Sequence, residues 1–250
     1  MSFVVEICVD SVESAVIALE AGADRVELCS ALAEGGVTPS LGLINSVCGN
    51  TGIPVHVLIR PRSGDFLYSD TEFSVMRRDI EIAGEAGADG IVTGILLSDG
   101  RIDVERTSLL AQYASPMSVT FHRAFDMCRD PRKALNDVTM TGASRLLTSG
   151  QAKKAVDGVL LIKDLVKAAG NRIIIMPGSG IDEYNISALA TATGAHEFHL
   201  SGSRMAESLM TFRKKGVSMG SSSSGSEYAV KTADPDRIRS VLKILKGLDI

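Results

Sequence analysis

Residues 4–29 read VVEICVDSVESAVIALEAGADRVELC, and this stretch decides the fold. Val4-Val5-Glu6-Ile7-Cys8-Val9-Asp10 is an apolar, strand-like run. A helical segment follows, with Asp10 or Ser11 as its cap and Gly22 as its stop. Arg25-Val26-Glu27-Leu28-Cys29 is a second strand-like run. One strand, one helix and a return strand make the repeating unit of a parallel α/β sheet.

The unit recurs. Strand-like runs begin near Phe3, Asp24, Pro54, Asp89, Met117, Ser144, Arg172 and His196. They are spaced by roughly 20 to 35 residues, the length of a strand, a helix and its loops. Further helical patterns cover residues 69–87, 130–142, 182–194 and 234–248. Gly-Ala-x stands at Gly22, Gly87, Gly142 and Gly194, each time where a helix stops and a strand begins. Glycine suits the left-handed cap needed there. Eight evenly spaced units without a composition break favour a closed barrel over an open doubly wound sheet. The expectation is one α/β domain over residues 1–250, a (β/α)8 TIM-type barrel with parallel strands. Residues 218–226, rich in Ser and Gly, read as part of a long surface connection before the last helix.

Composition narrows the function. The chain has 250 residues, of which 45% are hydrophobic, enough for a full core. A net charge of −4, with no Trp and few aromatics, argues against a nucleic-acid partner. No apolar run approaches the length of a membrane span, and the N-terminus lacks the basic and apolar regions of a signal peptide. Cys8, Cys29, Cys48 and Cys128 are widely separated and expected to be reduced thiols.

In barrels of this kind the reactive face lies at the carboxyl ends of the strands. Alternate strand residues share a face, so Glu6, Cys8 and Asp10 point together, as do Glu27 and Cys29. The shared Glu-x-Cys pattern places both thiols at one level of neighbouring strands, about 5 Å apart at the backbone. Arg60 and Arg62 end the third strand, His122 the fifth, and His199 and Ser201 the eighth. Buried cysteines also serve as small apolar side chains, and Glu6 or Glu27 paired with Arg60 would make a purely structural network. His56 and His196 sit low on their strands and have weaker claims. Gly178, Gly180 and Gly202 lie in turns after strands seven and eight, where barrels of this class bind phosphate. The same glycines could simply serve tight backbone turns.

Several motifs together resemble the CutC copper-homeostasis family. They are Glu6-Ile7-Cys8-Val9-Asp10-Ser11, Gly22-Ala23-Asp24-Arg25-Val26-Glu27-Leu28-Cys29, Glu34-Gly35-Gly36-Val37-Thr38-Pro39-Ser40, Ile59-Arg60-Pro61-Arg62-Ser63-Gly64-Asp65-Phe66, Phe121-His122-Arg123-Ala124-Phe125-Asp126, Leu147-Thr148-Ser149-Gly150, Met176-Pro177-Gly178-Ser179-Gly180 and Glu197-Phe198-His199. Ser179 departs from the pattern, since members often carry a third glycine there. The resemblance implies a cytosolic, commonly oligomeric barrel linked to copper handling. It associates Cu(I) with the positions of Cys8 and Cys29, and it carries no established reaction.

Two functions follow as expectations. One is Cu(I) binding by the two thiolates, which suit a soft ion. The other is an enzyme acting on a small anionic or phosphorylated substrate. There Arg60 and Arg62 would clamp the anion, and Glu27 or His122 would move a proton. On either reading Glu6, Glu27, Arg60, Arg62, His122 and His199 should converge on one pocket.

Overall fold

The computed structural model describes residues 3–217 and 227–248. Eight parallel strands form the barrel: β1 (Val4–Val9), β2 (Arg25–Leu28), β3 (Val55–Leu58), β4 (Gly90–Thr93), β5 (Ser118–Phe121), β6 (Arg145–Thr148), β7 (Ile174–Pro177) and β8 (Glu197–Leu200). They run in sequence order around the sheet, with β1 beside β8. A parallel bridge from Gly178 to His199 brings β7 to β8. The helices between them are α1 (Val12–Ala21), α2 (Leu41–Asn50), α3 (Asp70–Glu85), α4 (Val104–Ala114), α5 (Pro131–Met140), α6 (Val159–Ala169) and α7 (Ile186–Thr193). After β8 come two further strands, β9 (Ser203–Glu207) and β10 (Ala229–Ala233), and then α8 (Pro235–Lys246). The eight-unit barrel is therefore as expected.

Local chemistry sets the boundaries. Ser11 accepts from Ser14 N, and Ser69 with Glu72 forms a reciprocal capping box. Asp130 and Asp234 cap helices that open on a proline. All four Gly-Ala glycines have positive φ, from 70° at Gly194 to 94° at Gly22. Twice the next residue is an aspartate that ties down a neighbouring strand. Asp24 Oδ2 accepts from Val5 N at 2.7 Å, and Asp89 Oδ2 from Val55 N at 2.9 Å. Val5, Ile7 and Val9 are buried outside the barrel, in one core with Ala15 and Ala18 of α1. Full burial of such aliphatic side chains contributes about 1.5–3 kcal/mol each.

Two expectations change. The connection before the last helix contains the antiparallel pair β9–β10, with Met205 opposite Lys231. Residues 218–226, read as a surface connection, lie outside the described residues. The two Glu-x-Cys patterns are also not level. Glu6 is beside Arg25 and Cys8 beside Glu27, so β2 is displaced by two residues. Closing a barrel requires such stagger between strands.

Candidate functional site

The displacement of β2 puts Arg25, not Arg60, against the buried Glu6. Glu6 is fully buried, and its Oε2 takes Arg25 Nε at 2.5 Å. Arg25 Nη2 reaches Glu197 Oε2 at 2.7 Å, and Arg145 Nε meets the same oxygen at 2.7 Å. Two carboxylates and two guanidiniums thus fill the lower barrel. His56 packs beside them, its Nδ1 3.8 Å from Glu6 Oε2. Burial alone would raise the Glu6 pKa, but His199 and Arg25 outweigh it and hold the carboxyl well below its usual range. The expected pairing of Glu6 or Glu27 with Arg60 is therefore replaced. Sequence parity did contain the signal, because Arg25 shares a face with Glu27.

Above this floor lies a cluster of sulfur, nitrogen and oxygen donors. Cys8 Sγ is 3.7 Å from Cys29 Sγ, and Cys29 is fully buried. Both lie inside the barrel with Leu58 and Val92. Cys29 sits two residues beyond the neighbour of Cys8, so their Cα atoms are about 8 Å apart from strand spacing and rise. That exceeds the normal span of a disulfide and favours separate thiols. One donor atom each from Cys8, Glu27 and His199 lies within 4.8 Å of the others. His199 Nδ1 donates to Glu6 Oε1 at 2.7 Å, which leaves Nε2 towards Glu27 Oε2 at 3.8 Å. A carboxylate on one imidazole nitrogen is the usual way to orient the other towards a metal.

The charges are tightly interlocked. Hydrogen bonding to Cys29, then burial, then the Glu27 charge push the Cys8 thiol pKa well up. Burial also raises Glu27, against the pull of His199. Burial would lower His199, but Glu27, Cys8 and Glu6 raise it well above an ordinary histidine. At neutral pH the cluster therefore holds a protonated Cys8 and an imidazolium between two acidic groups.

The cluster opens into a cavity of about 400 Å³ at the carboxyl ends of the strands. Cys8, Glu27, Arg60, His122, His199, Ser201 and Gly180 line it. The other expected site residues are elsewhere. Glu6 lies beneath, fully buried. Arg62 is turned outward, bonded to Glu72 and Asp65 and stacked 5.1 Å above Tyr68. It does not converge with Arg60, because α3 supplies it with a carboxylate of its own. Gly178 donates its N–H to Thr148 O, and a side chain there would strike Leu147 at 2.5 Å. Gly202 faces Ile238 and Ile7, towards α8 on the outside of the barrel. Neither of these two glycines lines the cavity; Gly178 packs against Leu147 and Gly202 against Ile238.

Sequence reasoning missed Asp126, which also lines the cavity. It takes Thr148 Oγ1 at 2.5 Å, Ser149 Oγ at 2.8 Å, Gln151 N at 3.0 Å and Arg123 Nε at 2.7 Å. One carboxylate thereby ties the loop after β5 to the loop after β6. Its signal was its place in the polar segment after the fifth strand.

The comparisons agree with this architecture. The model of the CutC family matches residues 3–204. The copper homeostasis protein cutC homolog of Homo sapiens is 49% identical over 246 residues, covering 98% of this chain and 90% of that protein. The family protein CutC of Chromobacterium violaceum is 47% identical over 245 residues, covering 98% and 99%. The crystal structure of the putative copper homeostasis protein CutC of Streptococcus agalactiae superposes with a TM-score of 0.76 at 35% identity, covering 80% of this chain and 98% of that one. An aldolase superposes with a TM-score of 0.62 at 15% identity, a likeness of fold alone. No helix among the described residues is long and apolar enough to cross a membrane.

Proposed function

The chain belongs to the CutC family, and from that premise we propose that it binds Cu(I) at Cys8 and Cys29, with His199 as the third donor. The observation that carries this reading is the thiol pair, 3.7 Å apart, beside an imidazole whose Nδ1 is held by Glu6. Thiolate and imidazole are donors that suit copper, and thiolates select its monovalent form. The spacing also bears on the number of ligands. With metal–sulfur bonds of about 2.3 Å, a linear two-sulfur site would need sulfurs about 4.6 Å apart. A separation of 3.7 Å fits a bent pair that leaves one side open to a further donor, and a His199 ring nitrogen lies within 4.8 Å of the Cys8 sulfur. Glu27, a hard oxygen donor, is better suited to taking up protons displaced from Cys8 and His199. The copper-homeostasis name of the human relative supports the same ion.

Competition for Cu(I) against a chromophoric chelator, under anaerobic conditions, tests the reading. The wild-type chain should take one equivalent. Cys8→Ser and Cys29→Ser should each weaken binding at least about a hundredfold, and His199→Gln about tenfold, with folding checked by circular dichroism. Unchanged binding in the double serine variant would place copper elsewhere.

A further inference from the structure

The cavity beyond Cys8 is far larger than an ion needs. At about 400 Å³ it falls in the range of small-molecule sites. Leu32, Leu58, Phe66 and Leu147 give it apolar walls. Two polar side chains among those walls are left unmatched.

The first is Arg60, which is 6% exposed. Its Nη1 donates to Glu34 O at 2.9 Å and Gly36 O at 2.7 Å, and its Nη2 donates to Gly64 O at 2.9 Å. Its Nε is buried without a partner. No carboxylate among the described residues pairs with it. Carbonyl dipoles satisfy N–H groups but leave the full charge uncompensated, which is costly in a buried position. The second is His122, also 6% exposed. Its Nδ1 accepts from Ala124 N at 3.2 Å, so the proton of the neutral ring is on Nε2. That nitrogen too is buried and has no partner. Burial, then the Arg60 charge, lower the His122 pKa to about 3, so the ring is a neutral donor at physiological pH. Phe66 neighbours both, its ring centroid 5.2 Å from Arg60 Cζ and 4.9 Å from that of His122. The guanidinium and imidazole are thus held in place before any ligand arrives.

We propose that this half of the cavity binds a small monocarboxylate, with its carboxylate against Arg60 and His122 and its carbon body along Leu58, Phe66 and Leu147. Charge favours a singly charged ligand over a doubly charged one. Glu27, Glu34 and Asp126 also line the cavity. Arg123 is paired with Asp126, and His199 with Glu6. Arg60 is the one lining cation left without a carboxylate among the described residues; with Glu27 and Glu34 also in the lining, a phosphate dianion would be repelled more strongly than a monocarboxylate.

The test uses the full chain, metal-free and in the presence of a copper chelator, so its result does not depend on the copper reading. Lactate, pyruvate and 3-hydroxybutyrate are titrated by calorimetry and saturation-transfer NMR, with inorganic phosphate and phosphoglycolate as the contrasting arm. At least one monocarboxylate should saturate with a Kd below about 1 mM, and neither phosphate should compete. Arg60→Gln should weaken binding at least about tenfold, as expected for loss of a buried charge pair. Leu32→Trp, which leaves Arg60 in place and fills the cavity, should abolish it, and decides the matter if Arg60→Gln does not fold. Absence of saturable binding by all three acids, competition by phosphate, or binding that survives Leu32→Trp would overturn the proposal.

Discussion

His199 is held between Glu6 on one side and Glu27 on the other, and on the proposed copper reading this placement governs how the site would exchange protons for metal. Cys8 and His199 both carry protons raised in affinity by their surroundings. On the copper reading the ion displaces both of these and the thiol proton that Cys29 donates to Val9 O; with one taken up by Glu27, at least two leave per ion. Cu(I) affinity should therefore rise at least about a hundredfold per pH unit near neutrality, measured by chelator competition from pH 6 to 8. A slope near zero would mean that these two groups are not ligands. The residue below has a different role. Arg25→Met should leave Glu6 and Glu197 short of a counter-charge and cost about 3–5 kcal/mol of stability in urea unfolding. Parity along β2 marked Arg25 as inward-facing, but its partner depended on the stagger between β1 and β2. Arg62 misled for a related reason. A terminal arginine pointed to the rim, whereas its ion pair with Glu72 depends on where α3 docks.

At the scale of elements, β4 makes room for its neighbours. Gly90 and Gly94, both on the inward face, lie against histidines from the adjoining strands. A Cβ at Gly90 would come within 2.5 Å of the His56 ring, and one at Gly94 within 2.6 Å of His122 Nδ1. Small residues on β4 thus let β3 and β5 present imidazoles inside a crowded barrel. Gly90→Ala should cost about 1–3 kcal/mol through overpacking, and His56→Ser in the same chain should recover much of it. Denaturant midpoints of the single and double variants check this, and simple additivity would contradict the packing account. Element order was legible because glycine caps and apolar runs are local signals. The β9–β10 pair was not, because its strands are short, largely exposed and joined by residues far apart in the chain.

For the whole molecule, the buried ionisable groups set the pH range of stability. The His56 pKa is lowered to about 4, chiefly by burial, and that of His122 to about 3. Both groups stay neutral in the folded chain while the unfolded chain takes up protons below about pH 6.5. Stability is therefore lost as pH falls from about 6.5 towards those values, by about 2 kcal/mol per histidine at pH 5. Glu6, held low, adds to the loss once pH drops below the ordinary carboxylate range. His199 acts in the opposite direction. Its contribution is complete below about pH 6.5 and declines as pH rises towards its elevated folded value. Urea unfolding should show a maximum near pH 6.5, and His56→Leu should flatten the acid limb. The eight-unit barrel was visible in the repeats, whereas the meeting of β1, β2 and β8 around Glu6 follows from closure and has no local signature.

Copper K-edge X-ray absorption of the chain loaded with one equivalent of Cu(I) reads the donor set at the metal. The account predicts two sulfur scatterers from Cys8 and Cys29 and one nitrogen from His199, the nitrogen vanishing in His199→Gln. A spectrum with only light-atom neighbours, or two sulfurs in a linear site unaltered by His199→Gln, would contradict it.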